Sequence, residues 1–267
     1  MPVISDYHMH TPLCGHAEGE PFEYVEQAIK TGLAEMGFSD HAPFIKGPLP
    51  GVTMTREELP LYIQLIEDVQ KRYKDKITVK ISLEADFLAG YENKISQMLK
   101  EYPFDYVIGS VHFIGEWAFD DPAARVGWDQ NDVNRVYREY YRLLRESAYS
   151  RLFDIIGHCD LVKKFGHRPT EDLTEEVRKT ADVFKKTGMT IEINTSGLRK
   201  PVKEMYPSLE NLKIYRVAGV PLTFGSDAHL PGDVGKNFDK AIALAKNAGY
   251  TEYVTFKNRK IEKMIQL

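Results

Sequence analysis

Two rhythms of hydrophobic and polar positions alternate along this chain. Short apolar, β-prone runs predict strands at Val3–His8, Glu35–Ser39, Ile77–Glu84, Tyr106–Gly109, Ile155–Gly157, Thr190–Asn194 and Leu222–Gly225, each followed by a polar segment. Between them, apolar residues return at helical spacing and predict helices over Pro21–Thr31, Arg56–Tyr73, Asn131–Ser150, Glu171–Lys186 and Phe238–Asn247. Strand and helix alternating in this way imply an α/β fold around a parallel sheet, as a barrel or a doubly wound sheet. Three prolines within Pro43–Pro50 mark a loop placed to border a substrate pocket. No low-complexity tract, tandem repeat or Pro-rich linker divides the sequence, so residues 1–267 are expected to form a single domain.

Composition narrows the class. A hydrophobic content of 43% with 28% charged residues is ordinary for a globular chain, and no apolar run approaches a bilayer-spanning length. The start, MPVISDYHMH, lacks the basic and apolar regions of a secretion signal, so the mature chain is expected to begin near Met1. Cys14 and Cys159 are the two cysteines, too few and too far apart for a disulfide framework, which fits a reducing cytoplasm. A net charge of −4 argues against general nucleic-acid binding. No membrane contact is expected, and any anionic substrate must be met by local basic residues.

The candidate chemistry lies in the histidines. Of the 8 in the chain, His8, His10, His16, His41, His112, His158 and His229 fall at or just beyond the carboxyl end of a predicted strand. In barrel enzymes that end gathers the active site, because separate strands deliver their terminal side chains to one mouth. His8 and His10, two apart on a strand, share a face and could grip one ion, although an isolated H-x-H is as often structural. Further candidate ligands sit in strand-to-loop turns: Ser39–His41 (SDH), Leu83–Asp86 (LEAD), Gly109–His112 (GSVH), Ile156–Asp160 (IGHCD) and Gly225–His229 (GSDAH). Glu84 emerges from an apolar run, where a carboxylate is costly unless it is paired with a base or holds metal.

These motifs, in this order, resemble the polymerase and histidinol phosphatase (PHP) superfamily over nearly the whole chain. The segments Asp6–Ala17 (DYHMHTPLCGHA), Leu83–Phe87 (LEADF), Gly109–Phe113 (GSVHF), Gly157–Gly166 (GHCDLVKKFG) and Glu192–Lys200 (EINTSGLRK) resemble its histidinol-phosphate phosphatase branch. The resemblance implies a distorted (β/α)7 barrel, TIM-barrel-like, with the metal site at the C-terminal ends of the strands. It implies three divalent transition-metal ions. The first would be held by His8, His10, Glu84 and Asp227, the second by His16, His41 and His229, and the third by His112, His158 and Glu84. Imidazole and carboxylate donors suit zinc, iron and manganese alike. The activity implied is hydrolysis of L-histidinol phosphate in histidine biosynthesis, with a small phosphorylated substrate and inorganic phosphate as the partners. A nucleotide phosphatase or other phosphoesterase is the alternative, and a non-catalytic metal-binding domain a remoter one. The mechanism expected is in-line attack on phosphorus by a hydroxide shared between the first two ions. Asp227 would act as ligand and proton acceptor, and His229, or a water it orients, as the candidate proton donor.

Other residues carry two readings each. Arg199 matches a phosphate in bidentate geometry, or is an exposed loop arginine. Lys163 supplies a second cation, or begins a solvated helix. Ser196, with Asn194, hydrogen-bonds substrate, or serves an ordinary turn. Trp117, Phe119 and Trp128 wall a pocket or pack a loop. Asp86 recognises an ammonium group or pairs with a neighbouring base. Cys14 and Cys159 read as buried thiols, and His167, outside every motif, as a surface or helix-start residue.

Overall fold

A computed structural model describes residues 4–267, so Met1 and Val3, the expected starts of the chain and of its first strand, lie outside the described residues. The elements in order are β1 (Ser5–Asp6), α1 (Pro21–Thr31), β2 (Glu35–Phe38), α2 (Leu59–Tyr73), β3 (Thr78–Ile81), β4 (Glu84–Asp86), α3 (Glu92–Leu99) and β5 (Ile108–Ser110). There follow β6 (Phe113–Ile114), β7 (Trp117–Ala118), α4 (Gly127–Gln130), α5 (Val133–Ser150), β8 (Ile155–Ile156) and α6 (Thr174–Thr187). The chain ends with β9 (Thr190–Asn194), α7 (Leu209–Ala218), β10 (Leu222–Gly225), α8 (Phe238–Asn247), β11 (Glu252–Lys257) and β12 (Lys260–Gln266).

Parallel strands form two sheets, β1-β2-β3 and β10-β9-β8-β5-β4. Single parallel bridges, His41 to Glu84 and Met9 to Ala228, join the sheets at both seams. Backbone hydrogen bonds reinforce them: Glu84 N–H to Asp40 O at 3.0 Å, and Tyr7 N–H to Phe224 O at 3.0 Å. The circuit therefore closes as a distorted barrel. The expected strand Ile77–Glu84 is broken into β3 and β4 because its neighbour changes. Residues Thr78–Ile81 pair with β2, whereas Glu84–Asp86 pair with β5. Hydrophobic alternation reports which positions are buried, not which strand covers them.

Helices start and stop where local chemistry dictates. Pro21 occupies the first turn of α1, where a missing N–H costs nothing, and a capping box between Glu20 and Glu23 satisfies two end donors. Helix α5 opens on Asp132, whose side chain accepts the Arg135 N–H. Sequence patterning did not reveal α3, α7 or the antiparallel hairpin β11–β12. That hairpin turns at Asn258 and Arg259, both in the left-handed region with φ of 51° and 62°. It covers the N-terminal end of the barrel, packing Val254 and Phe256 against Tyr7, Tyr106, Ile108 and Ile155. The opposite, C-terminal end is left for the site. No helix among the described residues is long and apolar enough to cross a membrane.

Candidate metal centre

At the C-terminal end of the barrel, the residues following β1, β2, β5, β8 and β10 converge, and β4 contributes Glu84 from below. Glu84, 2% exposed, lies at the centre. Its Oε2 is 3.0 Å from His41 Nδ1 and 3.3 Å from His8 Nε2, and its Oε1 is 2.9 Å from His158 Nε2 and 3.7 Å from His112 Nε2. Asp227 places Oδ1 3.2 Å from His10 Nε2 and 3.5 Å from His229 Nδ1. His229 Nε2 is in turn 2.9 Å from His16 Nε2. All nine donors that the motifs nominate thus belong to one connected cluster, although they come from six separate segments of the chain.

Three of the imidazoles are oriented from behind by a carboxylate. His8 Nδ1 faces both oxygens of Glu192 at 3.0 Å, His10 Nδ1 faces Asp40 at 3.2 Å, and His112 Nδ1 faces Asp86 at 2.9 Å. A carboxylate behind one ring nitrogen fixes the tautomer and leaves the lone pair on the other, the usual arrangement for histidine ligands. Asp86 therefore serves as the structural partner of a base. Glu192 and Asp40 were not singled out from the sequence, although Asp40 lies inside the SDH motif. Nothing local marks Glu192 as buried opposite His8; the pairing spans 184 positions.

The donor set fits divalent cations. Nε2 of His8 and of His10 is buried without a hydrogen-bond partner among the described residues. His229 Nδ1 faces Asp227 O at 3.1 Å and His16 Nδ1 faces Cys14 O at 3.3 Å. A carbonyl oxygen only accepts, so both Nδ1 atoms carry the proton and two Nε2 lone pairs meet at 2.9 Å. A shared cation or a proton reconciles them. Burial, with His10 next in effect, pushes the His229 imidazole down to about 2, which keeps it neutral. Against the opposing effect of burial, Asp227 and Asp40 raise His10 to about 9, a sign of concentrated negative charge around it. Four sets of donor atoms lie close enough for one ion: His8, His10 and Asp227; His10, His41 and His229; Glu84, His112 and His158; and His10, Cys14 and Asp40. In the last, burial and then Asp40 push the Cys14 thiol up to about 12, so it is a poor ligand.

The residues nominated for substrate divide differently. Lys163 is 1% exposed, and its ammonium meets Asp160 at 2.9 Å, Glu204 at 3.0 Å and the Met205 carbonyl at 2.8 Å. An ammonium has three donors, and all three are taken, so the expected phosphate contact gives way to an internal one. Ser196 is likewise buried and donates to Asp227 Oδ2 at 2.9 Å, where it orients the carboxylate. Arg199 Nη2 donates to Ser226 O at 2.7 Å and Asp227 O at 3.2 Å, and Nε pairs with Asp233 at 3.1 Å, while Nη1 is buried and has no hydrogen-bond partner among the described residues. Phe119 and Trp128 are buried and meet edge to face with Trp117, packing the loop. His167, read as a surface or helix-start residue, is half-buried and stacks on Trp128 at 4.5 Å. The loop Pro43–Pro50 lines a cavity of about 470 Å³ facing α3, with none of the nine donors in its wall.

Comparison with known proteins agrees with this geometry. The PHP domain matches residues 6–196. A protein of Deinococcus radiodurans named probable histidinol-phosphatase is 40% identical over 98% of this chain and 100% of its own length. The Bacillus subtilis histidinol-phosphatase is 31% identical over 88% of this chain and 96% of its own. Among solved structures, the Lactococcus lactis histidinol phosphate phosphatase, complexed with zinc, L-histidinol and phosphate, superposes with a TM-score of 0.84 at 29% identity, covering 98% of this chain and 99% of that one. A barrel whose strand ends hold this donor cluster, matched over most of its length, belongs to the PHP domain family.

Proposed function

We propose that this chain is a metal-dependent phosphomonoesterase that hydrolyses L-histidinol phosphate to L-histidinol and phosphate, a step of histidine biosynthesis in the cytoplasm. The observation that carries this reading is the convergence of nine imidazole and carboxylate donors on a barrel that superposes end to end on one binding zinc, L-histidinol and phosphate. His8, His10, Glu84 and Asp227 would hold a first ion, His16, His41 and His229 a second, and His112, His158 and Glu84 a third. Glu84 suits a shared position, since its two oxygens face different imidazole pairs. When bound, divalent cations supply positive charge that neutralises a phosphate group and acidifies water at neutral pH.

The chain's own groups do the rest. Asp227, steadied by Ser196 and by Asn194 Nδ2 at 3.3 Å, takes the proton of the attacking water at Oδ1 or Oδ2. His229 enters as a ligand: its imidazole is neutral and its Nδ1 proton is engaged by the Asp227 carbonyl. Water is then the proton donor to the leaving alkoxide. Arg199, whose Nη1 has no hydrogen-bond partner among the described residues, offers a cation to the phosphate from a guanidinium already anchored on the ligand loop.

The test is a metal-analysed preparation assayed on L-histidinol phosphate and on mononucleotides side by side. Turnover of the first at least tenfold above the others is expected. Preference for mononucleotides would reassign the substrate, and activity in protein stripped of metal would end the proposal.

A further inference from the structure

Asp6 lies outside the nine-donor cluster, yet it is fully buried, and no Lys, Arg or His side chain among the described residues forms an ion pair with it. Its partners are three backbone donors, with the Ser226 hydroxyl beside them. Oδ1 accepts from Ser226 N–H at 2.8 Å and His8 N–H at 3.3 Å, and Oδ2 accepts from Gly235 N–H at 2.9 Å. A buried carboxylate without a counter-cation is expensive, and three N–H donors are what make it tolerable here.

Two of those donors flank the loop that follows β10, from which Asp227 and His229 project. Asp227 has φ of 52°, a left-handed conformation that a non-glycine residue keeps only when its surroundings fix it. Arg199 grips this turn on the carbonyls of Ser226 and Asp227, and Asp233 holds Arg199 in turn. Asp6 grips it on the opposite, N–H side. The turn is thereby clamped across both faces of its peptide units.

We propose that Asp6 is a positioning residue: by holding the Ser226 and Gly235 amides it fixes the turn that presents Asp227 and His229 to the metal site. The inference rests on reading Asp227 and His229 as ligands. It explains why a carboxylate is needed at the end of β1, since two oxygens must accept from two separate segments. An amide of the same shape would turn an NH2 group against one of those N–H donors.

The experiment titrates metal-free protein with zinc against a chromophoric chelator, for the parent, Asp6→Asn and Asp6→Ala, with circular dichroism and thermal melting of each metal-free form. Both variants should fold and bind zinc 10- to 100-fold more weakly at the sites that use Asp227 and His229. The ion assigned to Glu84, His112 and His158 should keep its parental affinity, a selectivity that general destabilisation would not produce. Parental zinc affinity in either folded variant, or equal weakening of every ion, overturns the proposal. If the parent itself takes up no zinc, the metal reading falls first, and the role of Asp6 falls with it.

Discussion

Glu192 offers a sharp test of how the centre is built. Its Oε1 accepts the His158 N–H at 2.8 Å and Asn194 Nδ2 at 2.8 Å, and both its oxygens lie 3.0 Å from His8 Nδ1. In Glu192→Gln, the remaining carbonyl oxygen is best placed toward the His158 N–H and Asn194 Nδ2, both donors there, since the Asn194 carbonyl oxygen is held by the Ser196 N–H. The new NH2 group then faces His8 Nδ1. The carbonyl oxygen, equally close to Nδ1, is already shared by two N–H donors, so the NH2 group opposes the Nδ1 proton and favours its transfer to Nε2, the atom turned toward Glu84 and Asp227. A protonated Nε2 has no lone pair for a cation. Loss of such an outer partner typically weakens metal binding about 10- to 100-fold, or roughly 1.4–2.7 kcal/mol. A hydrogen bond to a charged group, at about 1.5–3 kcal/mol, gives the same scale. The assay is zinc competition with a chelator, read beside kcat on L-histidinol phosphate. Folded Glu192→Gln protein with parental zinc affinity would refute the tautomer argument.

Other perturbations separate structural from chemical roles. Lys163→Met should cost about 3–5 kcal/mol in urea unfolding, because it strands the buried Asp160 without its cation, with KM unchanged; a raised KM at parental stability would return Lys163 to the phosphate. Arg199→Ala should raise KM for a phosphate monoester about tenfold or more, and normal kinetics would exclude the clamp. Asp227→Asn, fully metal-loaded, should lose turnover across the pH range, and unchanged turnover would remove its role. Cys14, with its thiol at about 12, is protonated throughout neutral pH, so alkylation should proceed only on unfolding; rapid modification of folded protein would contradict its burial.

Much of the site was legible from one-dimensional order because its ligands occupy a repeated local setting, an apolar run ending in a polar turn. That setting places His41, His112, His158 and Asp227 just beyond strand ends whatever the neighbours are, whereas Glu84, expected to end a strand, opens β4. The substrate residues were less legible. Lys163 and Lys164 are adjacent and chemically alike, but one is sealed against Asp160 and Glu204 and the other reaches Asp120 at 2.9 Å. Likewise Trp128 and Phe119 read as pocket wall or packing until burial decided for packing. The C-terminal hairpin was missed because a short amphipathic pair of strands carries little signal until it has a barrel end to cover.

What the sequence determined by itself was the alphabet and the spacing: seven histidines and Asp227 beyond strand ends, Glu84 beside an apolar run, and the helices whose periodicity runs over several turns. What only the tertiary structure decided was which groups stand behind them. Glu192 reaches His8 across 184 positions, and Asp6 reaches Gly235 across 229. Side-chain periodicity is set by neighbours along the chain, whereas the orientation and proton position of an imidazole are set by whatever carboxylate or carbonyl folding brings against its other nitrogen.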